Sequence, residues 1–452
     1  MATPVTSTTS LTRSLRAPGL IVHYVSSVIG VGVLIIPGHA AEAAGPLSLL
    51  AWLLLIVYSY PFALIFARLS MLYPTSRGIP EFIERAFGRR PAQISSVFLV
   101  LTLLVANPVL GLAAIRYLFT IWDPDPSNLT VIGYGFLVVL ASILFNLLGI
   151  KVSTRLQATL LTVLVAFLVV VIAVSLPHAE PANLTPFAPH GWGALGSALI
   201  ICFFGFIGWE NAAPVAEEVV DPPRTFPRAI FLAVFLVGAL YFLMAVTVIL
   251  VVPADVASGE QITAFTTLLK IASGQSIAIV GNIVAVVLLI LATNAWVLGT
   301  SRVIYATARD GLLPSALTRV SRRNGVPYGA LLFLIPGYGV FLGILALTGR
   351  DETLIITASS AAFLLIFLVT FLAARKLLVG RGIRALNMTI IVVTVVIIPF
   401  FRDSLLYAVA FFLIAFLLIT MRRRTTTPTA EEPSAEEPSA EEPSAEEVSS
   451  RD

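Results

Sequence analysis

Glu210 is an ionisable side chain at a place where ionisation is costly. It ends the run Phe204-Gly205-Phe206-Ile207-Gly208-Trp209-Glu210, inside a long apolar stretch, with Pro214 close behind. An acidic residue at that depth acts either as a protonatable coupling or gating group or as a hydrogen-bonding partner for interrupted backbone. A second interrupted run stands near the start, Gly30-Val31-Gly32-Val33-Leu34-Ile35-Ile36-Pro37-Gly38. Glycine weakens a helix, and proline removes a donor and clashes with the preceding turn. At membrane depth, unwound backbone survives only against protein or a watered cavity. Freed amides there attract a carboxylate and freed carbonyls an ammonium. The plainer reading is that glycine and proline are common in membrane helices, where small residues allow close packing. Two matched breaks favour the first reading over the second.

Three further residues could face such a site. Asn107, before Pro108, lies midway along an apolar run and either lines a cavity or bonds across to another helix. Trp296, two residues after Asn294, serves packing or recognition. Arg68 and Arg116 sit near the ends of apolar runs, where snorkelling to headgroups is expected. The single cysteine, Cys202, excludes an internal disulfide, and the four histidines show no metal-ligand spacing. No cofactor or metal is expected, and clustered His, Asp or Cys of the kind a membrane enzyme needs is missing from the sequence.

The elements that position these residues follow from composition. The chain has 452 residues, of which 58% are hydrophobic and 12% charged, and it lacks the residues for a soluble surface. Twelve apolar spans are expected, at 19–44, 47–72, 94–119, 130–149, 156–176, 195–215, 229–252, 276–300, 328–347, 353–374, 384–400 and 404–421. Basic residues fall in alternate connections: around Arg13, Arg77 to Arg90, Lys151, Arg224, Arg302 to Arg323, Arg375 to Arg384 and Arg422 to Arg424. The opposite connections hold little beyond Arg116, Lys270, Arg350 and Arg402. That asymmetry puts both termini in the cytoplasm and explains the net charge of +3 without a nucleic-acid partner.

The broken spans are the first and the sixth, five apart. The expected fold is therefore all-α and polytopic, a five-plus-five inverted repeat with discontinuous helices 1 and 6 and a solute site between the breaks. The first repeat covers 19–176, after a cytoplasmic segment 1–18, and the second covers 195–374. Residues 384–421 supply two peripheral helices. From 422 to 452 the chain is an acidic cytoplasmic tail with three AEEPS repeats, expected to be disordered.

At this point the chain resembles the amino acid–polyamine–organocation transporters over nearly its whole length. Gly30-Val31-Gly32-Val33 with Pro37 is similar to their first-helix motif. Tyr73-Pro74 through Ala86-Phe87-Gly88 is similar to their second cytoplasmic segment, and Asn146, Gly149 and Gln157 to the start of their fifth helix. Phe206 to Glu210, Ala216-Glu217-Glu218 and Pro222 to Ala229 match the sixth helix and its loop, and Arg309 to Pro314 the close of the eighth. Bacterial methionine and branched-chain amino-acid exporters are similar from Phe203 to Ala229.

The resemblance implies a bacterial inner-membrane permease working by alternating access, as a monomer or homodimer in the lipid bilayer. It implies that the amides of Gly30, Val31, Gly32 and Val33 hold a substrate carboxylate. The carbonyls of Phe203, Phe204, Gly205 and Phe206 would hold the amino group. Phe204 falls at a gating aromatic, Glu210 at a pH-sensitive glutamate and Trp296 at a functional tryptophan. Two departures stand out. Val31 replaces the Ser or Thr of many members, and no lysine lies between Thr159 and Val174, where proton-driven members carry one. A coupling proton is expected ahead of sodium, for which Thr300-Ser301 is the candidate. Apolar Val31, Phe204, Phe206 and Trp296 favour a neutral, hydrophobic amino acid, exported by the chain. Import or exchange of amino acids or polyamines on the same fold is the second reading. A solute sensor signalling through the tail is a third, and a channel is disfavoured for want of a charged ring.

Overall fold

The computed structural model describes residues 15–29, 32–73, 77–121, 126–149, 154–210, 219–253 and 264–425. Those residues are helical almost throughout, as apolar runs in a bilayer must be, because each backbone donor and acceptor then finds a partner within its own segment. The helices run in the order α1 Ala17–Val28, α2 Gly32–Ala44, α3 Ser48–Leu72, α4 Ile79–Phe87, α5 Arg89–Ala106 and α6 Pro108–Phe119. They continue with α7 Asn128–Leu147, α8 Thr154–Ser175, α9 Ala194–Phe204, α10 Pro222–Val251, α11 Ala264–Ser273 and α12 Gln275–Arg309. The last four are α13 Tyr328–Thr348, α14 Glu352–Leu377, α15 Arg381–Ile397 and α16 Ser404–Thr425.

Among the described residues, ten helical stretches are long and apolar enough to cross a membrane. The expected first span, 19–44, is divided into α1 and α2, each about half the roughly 20 residues that a crossing needs. The sixth, 195–215, is represented by the 11 residues of α9, and its continuation from 211 lies outside the described residues. The seventh connection carries α11, whose buried Phe265, Leu268 and Leu269 pack it back onto the bundle. The tail from 426 onward also lies outside the described residues.

Burial separates a core from a rim. In the stretch Arg89–Phe119, 89% of the apolar window is buried, against 22% in Arg381–Phe401 and 22% in Ser404–Met421. α5 and α6 therefore run through the middle, while α15 and α16 lie at the edge. Exposed apolar side chains such as Val57, Leu137, Val287, Val396 and Leu417 cover the outside. A soluble surface does not present so large an apolar area, and a bilayer accepts it.

Around the core, α10 packs against α3 and α1, α2 against α9, and α6 against α7 and α12. The two interrupted segments thus sit side by side in the interior. Near one end, Arg116 makes an ion pair with Glu352 (Nε–Oε1 3.1 Å, Nη2–Oε2 3.2 Å) and donates to Asn128 Oδ1 at 2.8 Å. This corrects the snorkelling expected of Arg116. The end of α6 meets the first turn of α14, where Glu352 is 5% exposed, and a carboxylate so desolvated holds its cation in the protein. Arg68 is exposed, in keeping with its expected outward course.

Candidate functional site

The two breaks are built from glycine and meet one another. α1 ends at Val28, where the Ile29 amide closes a last turn on Val25 O (2.8 Å), and α2 starts at Gly32. Gly30 and Val31 lie outside the described residues. Pro37, inside α2, has no amide hydrogen, so the Val33 carbonyl loses its helical donor. α9 ends at Phe204, and the chain tightens. Gly205 donates to Cys202 O (3.0 Å), Phe206 to Phe203 O (3.0 Å) and Ile207 to Phe204 O (3.3 Å). Gly208 then turns into the left-handed region at φ +131°, where a Cβ would lie 2.5 Å from Ser27 O. A Cβ at Gly32 would lie 2.8 Å from Gly205 Cα. Glycine is needed at these positions because one break backs onto the other.

One side chain ties both. Tyr241 of α10, fully buried, places its hydroxyl 2.8 Å from Val28 O and 3.0 Å from Gly205 O. It has one proton for two freed carbonyls, one from each break. The rings of Trp52 (5.3 Å) and Phe206 (5.5 Å) hold it there. On α6, Tyr117 donates to Leu34 O at 2.7 Å, supporting α2 near its proline. Tyr241 was not among the residues singled out from sequence. The available signal was a phenol deep in the apolar run Ala239-Leu240-Tyr241-Phe242, since a buried tyrosine hydroxyl needs a partner.

Glu210 serves the backbone directly: its Oε2 accepts the Gly208 N–H at 2.8 Å, across the turn that ends the break. It is half-buried, and it is absent from the lining of the cavity beside the breaks.

That cavity is walled by Ser27, Val28, Gly32, Phe204, Gly205 and Ile207 from the broken segments. Ala106, Asn107 and Leu110 close it from α5 and α6, with Trp296 of α12 and Phe363 of α14 opposite. Its volume is about 30 Å³, room for two or three waters at roughly 10–15 Å³ each by this measure. An amino acid therefore requires the walls to part. Among the described residues no charged side chain lines it, and the polar groups of its lining residues are the Ser27 hydroxyl, the Asn107 amide, the Trp296 indole N–H and backbone.

Of the expected site residues, Gly32, Phe204, Gly205, Asn107 and Trp296 come together here. Val33, Phe203 and Phe206 do not line the cavity. Phe203 packs toward Tyr58, Phe367 and Phe401, and Phe206 toward Trp52 and Tyr241. Ser27, Leu110 and Phe363 are lining residues that sequence reading did not pick out. Asn107 does both things considered for it. It lines the cavity, and its Nδ2 donates to Thr300 Oγ1 and to Tyr338 Oη (2.9 Å), linking three helices. Asn107→Leu strips both hydroxyls of that donor and is expected to cost about 1–3 kcal/mol, seen as a lower melting temperature in detergent. Asn294, near Trp296, accepts from Asn146 at 2.8 Å and so joins α12 to α7.

Comparison with known proteins places the chain among permeases. A family model described as Amino acid permease matches residues 18–430. The uncharacterized amino acid permease YecA of Bacillus subtilis (strain 168) is 31% identical over 359 residues, 79% of this chain and 84% of the relative. The branched-chain amino acid permease BcaP of the same organism is 26% identical, over 81% of this chain and 82% of its own. The L-methionine/branched-chain amino acid exporter YjeH of Escherichia coli (strain K12) is 29% identical, over 79% of this chain and 84% of its own.

Proposed function

The chain belongs to the amino acid permease family, and on that premise we propose that it is a secondary transporter exporting neutral, hydrophobic amino acids. The observation that carries this reading is the meeting of two glycine breaks at an uncharged cavity. A half-helix N-terminus presents free amides to a carboxylate, and an unwound carbonyl run accepts an ammonium. The two charges that every amino acid shares thus find backbone partners, which leaves the side chain to Phe204, Leu110, Trp296 and Phe363. A second positive charge on a dibasic amino acid or polyamine would need a carboxylate, and the described residues of the wall offer none.

In this reading the chain crosses the membrane twelve times, with α1 and α2 forming one broken span and α9 beginning another. Residues 19–176 and 195–374 are the two inverted repeats, and both termini are cytoplasmic. The roughly 30 Å³ cavity belongs to a narrowed stage of alternating access. Export of methionine or branched-chain amino acids is favoured over import because a methionine and branched-chain exporter is among the relatives. Exchange on the same fold is the second reading.

Counterflow in proteoliposomes tests the substrate. Labelled leucine and methionine are expected to accumulate against trans leucine, with arginine and putrescine at background. Robust arginine or putrescine counterflow without a leucine signal contradicts the proposal. Glu210 is proposed as the group that links transport to protons. Glu210→Gln keeps an oxygen to accept the Gly208 amide and loses only the ionisation, so counterflow should persist while its pH dependence flattens. An unchanged pH profile would reduce Glu210 to a backbone cap.

A further inference from the structure

The charge distribution at the end of the bundle where the chain exits has an unbalanced part. Arg77 bonds Glu81 and Glu84 at 2.8 Å each and reaches Asp310 at 3.3 Å, while Arg85 takes the other oxygen of Glu81 at 2.9 Å. Burial opposes the Arg77 charge but is outweighed by the Glu84 hydrogen bond and by the charges of Asp310, Glu84 and Glu81, so its pKa is raised. These acids are therefore committed. Beside them stand Arg89, Arg90, Arg375 and Lys376, all exposed, and among the described residues none of the four is paired with a carboxylate.

The start of α5 sharpens the imbalance. Its N-cap is Gly88, no side chain caps the free amides, its first turn holds no acid, and Arg89 and Arg90 occupy its first positions. Cations at a helix N-terminus oppose the helix dipole, and such an end favours an anion. Two contacts bring Lys376, with Arg375 beside it in sequence, and the chain's exit to this point. Lys376 Nζ lies 3.3 Å from Ala86 O and 4.3 Å from the centre of the Phe87 ring. Arg90 Nη2 lies 3.4 Å from Thr420 Oγ1, five residues before α16 ends.

After Arg424 the sequence carries eight glutamates and one aspartate against a single arginine. The glutamates come in pairs five residues apart, beginning at Glu431. From Thr425 to Glu431 the chain can extend about 20 Å at roughly 3.3–3.6 Å per residue, enough to return to the α5 N-terminus. Later pairs have the length to reach Arg375 and Lys376. A single exposed ion pair contributes little, but a tethered series of anions meets the cations at high effective concentration.

We propose that the acidic AEEPS tail docks on the cationic collar formed by Arg89, Arg90, Arg375 and Lys376. The tail supplies the anion that the α5 N-terminus lacks and holds that place in the presence of anionic phospholipid headgroups. The contact is electrostatic, so it weakens with salt as the Debye length falls to about 3 Å at 1 M.

The test uses the full chain in nanodiscs, with Cys202→Ala and spin labels at Ala385→Cys and Ser439→Cys. Pulsed electron–electron resonance should give a short-distance component in both neutral and anionic phospholipid. It should be lost at about 1 M salt, on changing all eight tail glutamates to Gln, and on neutralising the four collar residues to Gln. Identical distributions for the acidic and the Gln tails overturn the proposal. A short component present only in neutral phospholipid also overturns it, and assigns the collar to lipid headgroups. If the collar variant fails to fold, the Gln tail decides alone, because it alters no residue of the helical bundle.

Discussion

Gly32→Val is expected to abolish transport. The first added carbon would lie 2.8 Å from Gly205 Cα and 2.5 Å from the Tyr241 hydroxyl. Backbone stands on the first side, so relief requires the two broken segments to separate rather than a side chain to turn. Overpacking of this kind costs about 1–3 kcal/mol, occasionally more. Here it also drives apart the groups proposed to hold the substrate's two charges. Counterflow should fall to the level of empty liposomes in protein that still elutes as a single species. Tyr241→Phe is the milder comparison. It keeps the ring between Trp52 and Phe206 and removes one hydrogen bond, worth about 0.5–1.5 kcal/mol. Wild-type rates in Gly32→Val would mean that the breaks need not touch.

The second large effect is on stability. Glu352→Gln leaves Arg116 beside a neutral amide in a site where the acid is 5% exposed. Breaking a buried pair costs about 3–5 kcal/mol. The low end applies, because Arg116 is 20% exposed and keeps Asn128. A melting temperature several degrees below wild type should follow. Removing both charges, with Arg116→Met and Glu352→Leu together, should recover part of the loss, since no uncompensated charge then remains. Equal melting for Glu352→Gln and wild type would show the pair to be dispensable.

Much of this architecture was legible from residue types. Apolar runs of span length announced the helices. Gly32, Gly205 and Gly208 announced the breaks only as a matched pair five spans apart, because a single glycine in an apolar helix serves close packing just as well. What was not legible depended on neighbours distant in sequence. Tyr241 lies 213 residues from the Val28 carbonyl it serves, and its place deep in an apolar run says that its hydroxyl needs a partner but not which one. Ser27 and Phe363 enter the cavity wall only because α1, α9 and α14 converge. The placing of Phe203 and Phe206 near the breaks was right in sequence and uninformative about direction. Successive residues leave a tightened turn on different sides, so Phe204 faces the cavity while its neighbours pack into the core. Arg116 was misjudged because a basic residue at a helix end looks the same whether it meets headgroups or a carboxylate on another helix.

The central claim is that the cavity between the two breaks holds the transported amino acid, and cysteine protection at Ser27 tests it most directly. In a Cys202→Ala background, Ser27→Cys puts one thiol in the cavity wall, and Ser96→Cys puts a control thiol in the separate cavity beside Arg89 and Asp310. Saturating leucine is expected to slow maleimide labelling of Ser27→Cys severalfold and to leave Ser96→Cys unchanged, with arginine protecting neither. Transport of leucine at normal rates with no protection at Ser27→Cys would contradict the account, and would put the substrate elsewhere in the bundle.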